Sequence, residues 1–125
     1  MQILIKKIIV SGIILLLLDG IFVNFYMREY EDQIALVQRV VMQVNPIGAF
    51  LSYFILIFGL NFFIIDKNRS VLEAFIFGLV TYGVYDATNY ATLKRWDPYL
   101  AMIDTLWGGI LMSSTTYLTY IIVHL

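Results

Sequence analysis

No cysteine occurs in the 125 residues, which excludes disulfides, thiolate metal sites and a cysteine nucleophile. Histidine occurs once, as His124 at the end of the chain, and forms no cluster that would ligate a metal and no serine–histidine arrangement. There is no glycine-rich phosphate loop, internal repeat or low-complexity tract. Charge is scarce. Only 14% of residues are Asp, Glu, Lys or Arg, against about a quarter in an average soluble domain. The net charge of −1 gives nucleic acid nothing to bind. No catalytic residue, metal set or cofactor can be named from these types.

The rest of the composition is apolar. Hydrophobic residues make up 61% of the chain, and a soluble protein this greasy would expose patches large enough to aggregate. The sequence therefore reads as one integral membrane domain, 1–125, in the lipid bilayer. Its fold class is all-α: a four-helix transmembrane bundle in up-down-up-down order. The spans are about 8–26, 47–65, 71–93 and 99–125, each long enough to cross a hydrocarbon core roughly 30 Å thick. The basic start at Lys6 and Lys7 could open a signal peptide, but no small-residue cleavage site follows, and apolar residues resume at Ile21.

Between the first two spans, Met27 to Gln43 is the one long polar segment. Ile34, Val37, Val40 and Val41 in it, and Val44 just after it, recur at three- and four-residue spacing. That pattern fits either a short amphipathic helix lying at the interface or a solvated extension of a neighbouring span. Asn45-Pro46 then reads as a helix start. Asp66–Ser70 and Lys94–Pro98 are turns too short for anything but helical hairpins. The Asn68-Arg69-Ser70 match to a glycosylation sequon is set aside, because three-residue matches are common and this turn hugs the membrane.

The third span carries its information in its second half. There Tyr82, Tyr85, Asp86, Thr88, Asn89, Tyr90 and Thr92 interrupt the apolar run. Polar and ionisable groups at membrane depth are expensive, so they usually face the bundle interior or a wet cavity. At about 1.5 Å per residue, Asp19 lies about 17 Å up the first span and Asp86 about 22 Å up the third. Asp104 descends about 8 Å from the opposite end of the fourth. Three carboxylates thus fall at nearly one depth. Tyr82, Asp86, Asn89 and Leu93 share one helical stripe, and Gly83, Ala87 and Ala91 a neighbouring small-residue stripe expected to pack closely against another helix. Asp104, Gly108, Leu111 and Thr115 share a stripe on the fourth span. The candidate ligand- or ion-pathway residues are Asp19, Tyr82, Tyr85, Asp86, Asn89, Lys94, Asp104 and Trp107.

The run Tyr85-Asp86-Ala87-Thr88-Asn89-Tyr90-Ala91-Thr92-Leu93-Lys94-Arg95-Trp96, with the later Asp104-Thr105-Leu106-Trp107-Gly108-Gly109, resembles a family of small predicted membrane proteins, domain of unknown function 2177. Asp19 to Phe22 and Asn45-Pro46 extend the resemblance over the whole chain. It implies a four-helix membrane protein and carries no activity with it.

Three functions suit these residues. The carboxylate cluster with amides and hydroxyls suits a small channel or transporter, linked to protons or cations and needing a homo-oligomer to enclose a path. Paired acids beside Lys94 and Arg95 suit a membrane enzyme or lipid-binding protein that engages a headgroup or a small cation. The same groups could only lock helices together in an accessory subunit. A sealed core, a wet opening or a lipid-sized groove at Asp86 would separate the three. Lys6, Lys7, Lys67 and Arg69 fall on one side, and Arg28, Arg39, Lys94 and Arg95 on the other. This tie leaves the positive-inside rule undecided. The lysines beside the first span place the termini in the cytoplasm of a plasma or inner membrane.

Overall fold

The computed structural model describes residues 2–38, 46–93 and 97–124, with side chains for all of these except 26–38. All of its regular structure is helical: α1 (Gln2–Gln38), α2 (Pro46–Leu60) running on into a π-helical turn (Asn61–Ile65), α3 (Val71–Thr92) and α4 (Pro98–Val123). Four stretches among the described residues are long and apolar enough to cross a membrane: Gln2–Phe25, Pro46–Ile65, Val71–Thr92 and Pro98–Val123.

The first helix departs most from the sequence reading. It starts before Lys6 and runs without interruption past Tyr26 to Gln38. Of the two options for 27–43, its described part therefore extends α1, and no separate interfacial helix is present among the described residues. Neither proline nor glycine occurs between Met27 and Gln43, so nothing in the backbone obliges the helix to stop. The end of that segment and Asn45 lie outside the described residues.

The other boundaries follow local chemistry. Asp66 donates its backbone N–H to the Asn61 carbonyl at 2.8 Å, the five-residue step that defines a π turn. Asn68 takes φ 52°, a left-handed conformation that asparagine tolerates better than most residues. Ser70 then caps α3. Its hydroxyl accepts from the Glu73 N–H at 3.1 Å, and the Glu73 carboxylate accepts from the Ser70 N–H at 3.4 Å, a capping box. Asp97 caps α4 by accepting from the Tyr99 N–H at 2.9 Å, with Pro98 in the first turn.

The most extensive helix contact joins α3 to α4, and glycine makes it possible. A Cβ on Gly78 would lie 2.0 Å from the Gly108 carbonyl oxygen, and one on Gly108 would lie 2.3 Å from the Tyr82 ring. Backbone touches backbone here, as small residues allow in lipid. The sequence reading had assigned close packing to Gly83, Ala87 and Ala91. Instead a Cβ on Gly83 would meet only Thr105, at 3.4 Å, and Ala87 and Ala91 are exposed. Leu15, Leu60, Ile65, Leu111 and Met112, all fully buried, form the centre of the core. The large apolar residues left outside, such as Phe25, Phe50 and Leu72, face a hydrocarbon solvent in which their exposure carries no penalty.

Candidate functional site

Asp19, only 6% exposed, sits on the inward face of α1. Its two oxygens have separate donors. The Tyr53 hydroxyl of α2 donates to Oδ2 at 2.5 Å, and the Trp107 indole N–H of α4 donates to Oδ1 at 2.9 Å. Phe22, one turn along α1 from Asp19, stacks on the Trp107 ring with centroids 4.6 Å apart and planes within 7°. One carboxylate thereby ties three helices together, with the donors that a charged group at this depth requires.

Asp86 is 2% exposed on α3. The Thr105 hydroxyl of α4 donates to its Oδ2 at 3.3 Å, and the Asp104 carboxyl lies in side-chain hydrogen-bonding contact with it. Tyr82, one turn before Asp86, lies within electrostatic reach of Asp19, Asp104, Tyr53 and Asp86 together. It therefore stands between the two carboxylate centres. Tyr85 is exposed, bonded to Asn89 on its own helix, and within reach of Asp104 and Asp86.

Among the candidates from the sequence, the structure brings Asp19, Tyr82, Asp86, Asp104 and Trp107 into one neighbourhood, and leaves the Tyr85–Asn89 pair on its outer side. Lys94 lies outside the described residues. Among the described residues, no group of three or more His, Asp or Glu is arranged to hold a metal ion. Two participants were missed. Tyr53 and Thr105 supply donors to the carboxylates, but tyrosine and threonine are frequent in apolar helices, and nothing in their own spacing set these two apart. Asp86 is not sealed in. It lies on the wall of a groove of about 480 Å³ that opens sideways between α3 and α4, with Gly83, Ala87, Ala101, Met102 and Leu106 among its other walls.

A family model described as predicted membrane protein (DUF2177) matches residues 4–121. The chain belongs to that family. No curated protein and no solved structure is similar enough to match it. The DUF2177 match spans all four helices and every candidate residue named above. This DUF2177 chain is an integral membrane protein whose family description assigns no activity.

Proposed function

We propose that the protein binds an amphiphile entering sideways from the bilayer between α3 and α4, and holds its polar head at Asp86 and Asp104. The observation that carries this reading is Asp86 itself, a nearly buried carboxylate on the wall of a groove whose other walls are mostly small and apolar, with Tyr90 and Thr105 as its only other polar side chains. Two neighbouring carboxyls offer several oxygen acceptors to one ligand, which suits a cationic or hydrogen-bond-donating head. Both lie about 9 Å from the helix ends at Thr92 and Pro98, at roughly 1.5 Å per residue. A head group anchored at the interface reaches that depth. The bundle spans a plasma or inner membrane with its helices alternating in direction and its termini in the cytoplasm.

Proton-linked transport is the second reading. Its support is Tyr82, a phenol within electrostatic reach of both Asp19 and the Asp86–Asp104 pair. Against an axial path stand Leu15, Leu60, Leu111 and Met112, fully buried on the N-terminal side of the carboxylates.

The test uses Trp107 as reporter in a Trp96→Phe background, titrated with alkyl ammonium and alkyl sulfate amphiphiles of equal chain length. The ammonium form is expected to shift Trp107 fluorescence. Asp86→Asn should weaken binding at least about tenfold, the worth of one hydrogen bond to a charged group. Ala87→Phe, which fills the groove, should abolish it. An equal response to the sulfate, or one indifferent to Ala87→Phe, refutes the reading. Proton flux into liposomes that is lost in Asp86→Asn would favour transport instead.

A further inference from the structure

A second groove lies between α1 and α2, remote from the carboxylates. Its volume is about 520 Å³, within the range of small-molecule sites. Leu4, Ile8, Gly12 and Leu16 line one wall, and Phe54, Phe58 and Phe62 the other. From Leu4 to Leu16 it runs about 18 Å at roughly 1.5 Å per residue. One leaflet of a hydrocarbon core is about 15 Å deep, so the groove is as long as one acyl layer.

Its charged groups stand at the end nearest the 66–70 turn, and Asn61 lies level with Ser11, about 10 Å along from Leu4. Asn61, 2% exposed, lines the groove. Its amide N–H groups donate to the Ser11 hydroxyl and the Ile57 carbonyl, both at 2.9 Å, while its Oδ1 has no hydrogen-bond partner among the described residues. A buried amide oxygen without a donor is rare, and this one is sealed off from an occupant of the groove by the surrounding side chains. Asp66 lines the end nearest the turn and is exposed. Lys67 holds its ammonium 5.0 Å from the Phe62 ring centroid and 5.7 Å from that of Phe63, a cation–π seat at the groove mouth. Arg69 is engaged with Glu73 at 3.8 Å, which leaves Lys67 as the cation beside Phe62. Asn61 also opens the π-helical turn, a departure from α geometry that occurs often at functional sites.

An apolar trough one leaflet long, with a cation and a carboxylate at one end, has the polarity of a zwitterionic lipid reversed in charge. We infer that this groove is a binding site for a phospholipid with a primary-ammonium head group. One acyl chain lies along α1 and α2, the phosphate faces Lys67, and the ammonium donates to Asp66. The neighbouring helix of a second copy would meet the apolar walls but has no reason to bring a zwitterion to the turn.

Native mass spectrometry of the intact protein in mild detergent tests this with phosphatidylethanolamine and phosphatidylcholine of identical chains. The two differ at the head-group nitrogen, which carries three N–H donors in one and three methyl groups in the other. Phosphatidylethanolamine is expected to bind at least about fivefold more tightly, and Asp66→Asn should erase that preference. Lys67→Gln should weaken both lipids by about fivefold, as expected for one cation at the membrane surface. Ile13→Trp, on the groove wall, should exclude both, with helix content unchanged by circular dichroism. Asp66 and Lys67 are exposed turn residues, so their variants remain folded and informative if Ile13→Trp does not fold. Equal binding of the two lipids overturns the inference, and so does a preference that survives Asp66→Asn. A dimer mass that disappears in Ile13→Trp overturns it in favour of a second copy. All of these measurements are made in an Asp86→Asn background, which removes the acidic anchor of the α3–α4 groove and so separates this site from that one.

Discussion

The firmest expectation concerns Gly78→Ala. The added methyl carbon would sit 2.0 Å from the Gly108 carbonyl oxygen, 2.5 Å from its carbon and 2.8 Å from the Gly109 Cα. A carbon–oxygen contact relaxes at about 3.3 Å, so α3 and α4 would have to part by roughly 1 Å at their crossing. The obstacle is backbone on both sides, so no side chain can rotate away. Overpacking a core typically costs about 1–3 kcal/mol and occasionally more. A gap of about 1 Å also forfeits up to roughly half of each dispersion contact along the interface. We expect a loss of about 3 kcal/mol or more. Gly83→Ala is the control on the same helix. Its Cβ meets only the Thr105 methyl at 3.4 Å, and replacing a mid-helix glycine by alanine favours the helix by about 0.5–1 kcal/mol. Reversible unfolding in mixed micelles, followed by circular dichroism, should show the Gly78 variant markedly destabilised and the Gly83 variant level with the parent or above it. Two variants of equal midpoint would refute the crossing. The same parting of helices would carry Thr105 away from Asp86, so ligand binding in the α3–α4 groove should weaken in Gly78→Ala as well.

Trp107→Phe keeps an aromatic ring against Phe22 but leaves Asp19 Oδ1 without its donor, and should cost about 1–3 kcal/mol in the same unfolding assay. Tyr53→Phe should act similarly, and because both serve one carboxylate the double variant should depart from additivity; strict additivity would mean that the two bonds are independent. Cysteine labelling from outside the cell should modify a cysteine at position 38 and spare one at 68. The opposite pattern inverts the orientation, and labelling at both positions indicates dual topology.

The helices were legible because hydrocarbon permits few alternatives. A span must be apolar, continuous and internally hydrogen-bonded, so Pro46, Ser70 and Asp97 mark their starts in the sequence almost as in the structure. The carboxylates were conspicuous for the same reason, since Asp19, Asp86 and Asp104 are expensive at that depth unless something answers them. What answers them was not legible. Tyr53 and Thr105 are identified only when helix faces are known to a fraction of a turn, and sequence spacing fixes depth better than rotation. The crossing at Gly78 was missed for a related reason. The four-residue recurrence at 83, 87 and 91 drew attention to a stripe, while the backbone contact uses one glycine on α3 against an adjacent pair on α4. The length of α1 was obscured because an amphipathic continuation and a separate interfacial helix share the same three- and four-residue period.

The distribution of polar groups also constrains how any ligand can reach them. Asp19, Asp86 and Asp104 lie toward the helix ends at Thr92 and Pro98, and Ser11 and Asn61 toward the 66–70 turn. Between the two sets, Leu15, Leu60, Leu111 and Met112 are fully buried. Protein interiors are packed about as densely as organic crystals, so water or an ion passing along the bundle axis would have to displace side chains that hold the helices together. Entry from the side requires no such displacement. Each polar set already borders a groove open to the bilayer, through Asp86 in one case and Asn61 in the other. Four helices are too few to enclose both a packed core and a channel, but they are enough to carry two lateral sites, each within reach of a different leaflet's head groups. The separation that argues against a channel also makes the two sites independent, since an occupant of one has no route through the interior to the other.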